Sequence, residues 1–188
     1  MKTFTDPKPF VSHPEYEKDR ASTLLELDHI IRIGGIDPPL VPLLQECALL
    51  SHFFTIQSCY GHFVHENEPD IKNTSKLSLY RGDVERVEYR LAYIAFCIRD
   101  CVEGHIFFQD IQKIPAIDPL YIQFGSAIWF RDRLANTYVI QVEPDRSMYE
   151  DSVFVDFDEG LHLEKVRDRF FNEMRKIIEC HKNVPKND

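Results

Sequence analysis

The C-terminal segment of the chain places the strongest constraint on the fold. Its apolar residues recur at intervals of three and four positions, which predicts an amphipathic helix, with the stripe at Leu163, Val166, Phe170, Met174, Ile177 and Ile178. Acidic Asp158 and Glu159 at its start and basic His181 and Lys182 at its end suit the helix dipole. A helix with one apolar stripe must bury it against another layer, and the 14 Phe and 8 Tyr of the chain favour a sheet as that layer.

Upstream segments have the length and composition of β-strands. We interpret five of them as strands, at 52–57, 87–98, 121–130, 138–142 and 153–157. The polar residues 131–136 predict a hairpin between the third and the fourth. The run 87–98 alternates in its first half, which favours a strand, but a short apolar run cannot be distinguished from a helix by its period alone.

The remaining periodic segments predict helices. An N-terminal helix capped by Ser12 is expected to end near Arg32, and a short helix should follow Asp37. Residues 100–114 have helical spacing and would cross over between two strands. We therefore predict a single α+β domain over residues 12–182, preceded by an extended arm of residues 1–11. Its mixed, mostly antiparallel sheet of four to five strands would be covered by the N-terminal, crossover and C-terminal helices.

Composition excludes several classes of function. The chain of 188 residues carries a net charge of −9, which disfavours a nucleic-acid partner. Its five cysteines are an odd number without a secretory leader, and no apolar run approaches the roughly 18 residues needed to span a membrane, so we expect a cytoplasmic protein with reduced thiols. Because phosphate-cradling glycine loops and a G-x-S-x-G elbow are absent from the sequence, kinases, NTPases, dinucleotide-dependent dehydrogenases and lipase-like hydrolases are disfavoured.

The segment FFTIQSCYGHFVH, residues 53–65, is the main candidate for a functional site. It ends a predicted strand in a turn, and ligands favour such strand ends in sheets flanked by helices. In one interpretation Cys59 is a catalytic nucleophile and His62 its base, although the sequence shows no third group that would orient the imidazole. In another, Ser58, Tyr60 and Gly61 form a ligand-binding turn whose backbone N–H groups hold an anionic group.

The same turn also has the composition of a metal site. Cys59, His62 and His65 form a C-x2-H-x2-H pattern, which would give zinc three ligands and leave one position open. The alternative is a structural turn in which Cys59 is a small buried hydrophobe and the histidines only form hydrogen bonds. The sequence leaves these interpretations open.

Three hypotheses about function follow. The leading one is a small-molecule-binding and enzyme-type site at the turn Gln57–His65, bordered by the irregular segment 60–85, which is either a mobile cover or a solvated insertion. The second is a non-enzymatic interaction protein, for example a homodimer, that uses aromatic surface. The third comes from a resemblance to a known family.

The resemblance extends from Asp37-Pro-Pro-Leu-Val-Pro-Leu-Leu through Phe-Phe-Thr-Ile-Gln to Ser58-Cys59-Tyr60-Gly61-His62. This stretch resembles the N-terminal signature of the third wybutosine-synthesis protein family, which has a Thr-x-Ser-Ser-Cys-Ser-Gly-Arg type motif, and uncharacterised bacterial proteins with a Ser-Cys-x-Gly-His turn. Tyr60 and His62 stand where the family motif has a small and a basic residue. The resemblance implies an S-adenosylmethionine-dependent methyltransferase acting on a guanosine of phenylalanine tRNA, with its site at the residues quoted.

Overall fold

A computed structural model describes residues 4–80, 84–147 and 151–182. The helices are α1 (Tyr16–Arg32), α2 (Val41–Cys47), α3 (Val102–Ile111), α4 (Ile128–Arg131) and α5 (Phe157–Lys182). The strands are β1 (Phe4–Thr5), β2 (Phe53–Cys59), β3 (His62–Val64), β4 (Arg86–Arg90), β5 (Ala92–Ile98), β6 (Ile122–Ala127), β7 (Thr137–Val142) and β8 (Ser152–Asp156). The predicted α+β class is confirmed, as are the N-terminal, crossover and C-terminal helices.

The strands form two antiparallel sheets. The larger has the order β1-β6-β7-β5-β2, and the smaller has the order β3-β4-β8. Both β5 and β6 pair antiparallel with β7 between them, so α3 crosses over between two parallel strands, as predicted. Four of the five predicted strands fall in the larger sheet, as β2, β5, β6 and β7, although residues 128–130, predicted as the end of a strand, form helix α4. The strand expected at 153–157 belongs to the second sheet, which was not predicted.

The segment 87–98 was predicted as one strand, and this is wrong, because it forms two strands in different sheets. The break lies at Leu91, between β4 and β5, where the Leu91 N–H donates to the Asp151 carbonyl at 3.3 Å. The backbone N–H at the break is therefore bonded by Asp151, which directly precedes β8, and not by a residue of the segment itself.

Strands β2 and β3 follow one another along one side of a bent hairpin, and β4 and β5 follow one another along the other side. Cys59 lies opposite Tyr93 in the larger sheet, and His62 lies opposite Arg90 in the smaller one. Each strand advances by the same three positions between these pairs, so the register does not slip at the bend. The hairpin thus passes from one sheet to the other at Gly61 on one strand and Leu91 on the other.

The main core lies between one face of the larger sheet and helices α2, α3 and α5. Its fully buried members include Leu43, Ile94, Phe96, Phe107, Ile140, Phe170 and Met174. The opposite sheet face is covered at one end by α1, where Tyr16 packs on Phe54 and Cys97. The part of this second face that lies away from Tyr16 carries polar side chains, which are described below.

The N-terminal segments differ in detail from the prediction. Helix α1 starts at Tyr16 with Glu15 as its N-cap and no side-chain capping bond, so the expected Ser12 cap is not formed. The preceding residues lie along the β6–β7 hairpin, where the Asn136 side chain exchanges two 2.8 Å hydrogen bonds with the backbone of Val11. None of the helices in the described ranges is long and apolar enough to cross a membrane.

Candidate functional site

The site lies at the bend of the hairpin, in the turn between β2 and β3. Gly61 adopts a positive φ of 87°, which side chains rarely tolerate. A Cβ at this position would lie 2.8 Å from the Ala92 Cβ and 3.1 Å from the Ala92 nitrogen. The turn therefore needs glycine both for its backbone conformation and for the close approach of β5.

Three side chains with acid, imidazole and thiol groups meet at this turn. Asp37, which precedes the short helical turn Pro38–Leu40, offers one donor atom, and Cys59 and His62 offer the others, all within 4.8 Å of one another. The Asp37 Oδ2 accepts the Tyr60 N–H at 2.8 Å and lies 3.4 Å from the His62 Nε2. The Cys59 Sγ accepts the Gly61 N–H at 3.4 Å. Backbone donors of the turn therefore hold the carboxylate and the sulfur in place.

The electrostatics of the cluster favour the charged forms of Asp37 and His62. Burial alone would lower the pKa of His62, but hydrogen bonds to Asp37, Cys59 and the Asn73 carbonyl outweigh burial and raise it to about 10. Burial alone would raise the pKa of Asp37, yet the bonds from His62 and from the Tyr60 N–H lower it. Exposed fractions of 7% for the His62 side chain and 19% for Asp37 leave little room for water to screen the pair.

A buried arginine of α5 bonds the backbone of the turn from the side of the core. Arg167 is only 1% exposed and donates from Nη1 to the Gly61 carbonyl at 3.1 Å. Its guanidinium lies 4.2 Å from the centre of the Tyr60 ring and bonds Asp168 at 3.0 and 3.1 Å. Sequence reasoning missed this residue. The available signal was its position four residues after Leu163, which places a charge on the apolar stripe of the helix.

The side chains of Ser58, Tyr60 and His65 lie apart from the cluster, although the backbone N–H of Tyr60 bonds Asp37. Ser58 pairs with Ile94, so its side chain lies on the core face, opposite to that of Cys59. Tyr60 stacks on Phe171 with ring centres 5.3 Å apart and points toward α5. His65 pairs with Glu68 through both backbone groups and is not part of the three-residue cluster.

A row of polar side chains extends from Cys59 across the second face of the larger sheet. Cys59 lies opposite Tyr93, Tyr93 opposite Gln141, and Gln141 opposite Gln123, so the four side chains share one face. Within the described residues, the Oε1 of Gln123 is buried without a hydrogen-bond partner. Buried Glu143 follows two residues after Gln141, whose Nε2 donates to it at 2.6 Å. The cluster is therefore continuous with a polar surface that the sequence did not reveal.

The segment between β3 and β4 is attached to the rest of the fold at a few points. Asn73 donates to the Phe63 carbonyl at 2.9 Å and supplies the carbonyl that bonds His62. Leu77 is buried, and its N–H donates to the Glu164 carboxylate at 2.7 Å. Residues 81–83 of this predicted irregular segment lie outside the described ranges. Most of residues 66–79 are exposed, so the described part is a solvated insertion that is anchored by the buried residues Asn73 and Leu77.

Comparisons with known proteins bear on the fold. No protein family matches the sequence, and no curated protein matches it either. Among solved structures, the PH1069 protein from Pyrococcus horikoshii is similar, with a TM-score of 0.50 and 13% identity over 91% of this chain and 97% of that chain. A hypothetical protein from Aeropyrum pernix has a TM-score of 0.40 and 10% identity over 76% of this chain and 98% of its own. At 13% identity, the first similarity concerns the fold alone.

Proposed function

We propose that this protein binds a small molecule at the turn Gln57–His65 and acts on it with an enzyme-type site centred on Cys59 and His62. The observation that carries the proposal is the convergence of Asp37 on these two residues from a separate segment of the chain. The sequence supplied the cysteine and the histidine but no group to orient the imidazole. In the structure the Asn73 carbonyl bonds the Nδ1 of His62 and the Asp37 carboxylate lies 3.4 Å from its Nε2, so the two groups together hold the ring.

The composition of the cluster exceeds what a structural turn requires. Gly61 and the backbone bonds are sufficient to turn the chain, yet a carboxylate, an imidazole and a thiol are brought together in a partly buried place. Burying ionisable groups is unfavourable unless they are paired, so such clusters are enriched at functional sites. Cys59 is only partly buried, whereas Cys47 and Cys97 are buried, so Cys59 is better placed than either to meet a ligand.

Ligand screening by thermal shift tests this proposal. The untagged protein would be screened against a metabolite set beside Cys59→Ala and His62→Ala, with Cys180→Ala and His105→Ala as controls, since Cys180 and His105 are exposed. We expect a hit that stabilises the wild type and both controls but neither site variant. A hit that binds both site variants unchanged places the ligand elsewhere and refutes the proposal. The proposal is also refuted if no compound binds and both site variants have the melting temperature of the wild type.

A second candidate function is transfer of a methyl group from S-adenosylmethionine to a tRNA base. One observation favours it, since the segment that resembles the wybutosine-synthesis family begins at Asp37 and ends at His62, and these two residues lie in contact. Calorimetric titration with S-adenosylmethionine, and with tRNA at low salt where electrostatic contacts are strongest, tests it. Binding that is lost in Asp37→Asn supports this candidate, and no binding of either molecule removes it.

A further inference from the structure

We propose that Asp37, Cys59 and His62 bind a divalent transition metal ion, zinc in the first place, and leave one coordination position for the small molecule. The inference rests on the proposed function for the location of the site and names the chemistry of what is held there. It also replaces one ligand of the set that the sequence suggested, with Asp37 in place of His65.

The spacing of the donor atoms suits one shared ion. Ligand atoms bound to tetrahedral zinc at about 2.0–2.3 Å lie about 3.3–3.7 Å apart. The three donors lie within 4.8 Å of one another, and the His62 Nε2 is 3.4 Å from the Asp37 Oδ2. The 3.4 Å separation already matches the tetrahedral spacing, and the 4.8 Å limit keeps the other pairs close to it.

The orientation of His62 supplies a second, independent argument. Its Nδ1 lies 2.6 Å from the Asn73 carbonyl oxygen, which can only accept, so Nδ1 carries a proton. Nε2 points toward the Asp37 carboxylate at 3.4 Å, where the proton of the imidazolium lies in the metal-free site, and a metal ion that binds there takes the place of that proton. A histidine that donates one N–H to a backbone carbonyl and offers its other nitrogen is the usual arrangement of a metal ligand.

The outer hydrogen bonds also fit a metal centre. The Asp37 Oδ2 accepts the Tyr60 N–H, and the Cys59 Sγ accepts the Gly61 N–H, so both ligands are oriented by the backbone of one turn. A mixed set of sulfur, nitrogen and oxygen favours zinc or another first-row transition metal, whereas magnesium and calcium prefer oxygen ligands alone. Three protein ligands with an open position are typical of catalytic rather than structural zinc.

The environment of His65 explains why it is not a ligand here. Its ring lies against Tyr80, with centres 4.5 Å apart, and its backbone is paired with Glu68. Residues three apart in extended chain face opposite sides, so His62 and His65 cannot both face Cys59 while β3 stays extended. The two ligand sets therefore make opposite predictions for two variants.

Cobalt titration tests the assignment. The untagged full chain, stripped with a chelator, would be titrated with Co²⁺, whose thiolate charge-transfer band reports a cysteine ligand and whose visible bands report four-coordination. Elemental analysis of the protein as purified would run in parallel. We expect stoichiometric zinc, and cobalt affinity at least about 100-fold weaker in Asp37→Asn and Cys59→Ser, a loss at or above the upper end of what losing an outer hydrogen bond costs. His65→Ala should bind like the wild type.

Each outcome decides a specific point. A wild type that shows no cobalt–thiolate band at saturating Co²⁺ overturns the metal assignment, whatever the variants do. A loss in His65→Ala with none in Asp37→Asn overturns the ligand set proposed here. If the metal assignment fails while a screened ligand still depends on Cys59 and His62, the proposed function stands without a metal, so the two failures are distinguishable. Circular dichroism of each variant separates loss of the site from loss of the fold.

Discussion

Arg167 gives the sharpest test of how the fold supports the site. Replacing it with Met keeps much of the side-chain volume but removes a guanidinium that is 1% exposed. The substitution leaves the Gly61 carbonyl without its donor, and it leaves two carboxylates, Asp168 at 3.0 Å and Glu164 at 3.9 Å, without their cation. The effect should therefore be much larger than that of an ordinary surface substitution.

The expected magnitude follows from these contacts. Of the two carboxylates only Glu164 is buried, at 7% exposure against 36% for Asp168, and removing one partner of a buried charge pair costs about 3–5 kcal/mol. Loss of the cation–π contact with the Tyr60 ring, 4.2 Å away, is part of the same change. We therefore expect Arg167→Met to lower the free energy of unfolding by about 3–5 kcal/mol. At about 2–4 °C per kcal/mol for a chain of this size, the melting temperature should fall by about 6–20 °C.

Urea unfolding followed by circular dichroism measures this loss. Arg169→Met is the matched control, because Arg169 lies on the same helix but is exposed, and it should change stability by no more than about 0.5 kcal/mol. The double variant Arg167→Met/Glu164→Gln should recover part of the loss, since it neutralises a carboxylate left without its cation. Equal effects of Arg167→Met and Arg169→Met would refute the reasoning.

Three further predictions concern the turn, a buried acid and the thiols. Gly61→Ala should cost at least about 1–2 kcal/mol in urea unfolding, the strain of a positive φ alone, and a neutral result would contradict the tight turn. Burial, together with nearby acidic residues, raises the pKa of Glu143 to about 7, so its unfavourable contribution appears above the unfolded pKa near 4.5 and is complete above pH 7. Wild type should therefore lose about 2–3 kcal/mol relative to Glu143→Gln between pH 4.5 and 8, and parallel pH profiles would sink this. In thiol labelling of the native protein, exposed Cys180 should react at once, whereas buried Cys47 and Cys97 should react only on unfolding, and early labelling of either would show that the core opens.

Local patterns in the sequence predicted those elements whose structure depends on local patterns. The stripe of α5 and the pairing of β6 with β7 followed from residue spacing. A helix face, and a pair of strands that are neighbours in sequence, are each encoded within a few residues. The division of 87–98 at Leu91 did not follow. Alternation shows that a segment is extended, but the sheet that each half joins is decided by partners far away in sequence.

The same limit applies to the site. Cys59 and His62 were identified because they flank a glycine turn, whereas Asp37 was interpreted only as the start of a helix. Its role depends on a contact that spans more than twenty positions of the chain and is made by folding α2 against β2. His65 was included because a two-residue gap suits many metal sites, but that spacing brings two ligands together in a turn or helix and separates them in a strand.

The bent hairpin has a consequence for how occupancy of the site could be read. Cys59 ends β2 in the larger sheet and His62 begins β3 in the smaller sheet, and the register continues unbroken between them. A ligand or ion that contacts both residues therefore links the two sheets and fixes the angle between them. Amide hydrogen exchange along β4, whose residues do not belong to the cluster, should then slow when the site is filled, so the outer sheet acts as a reporter of an event at the cysteine.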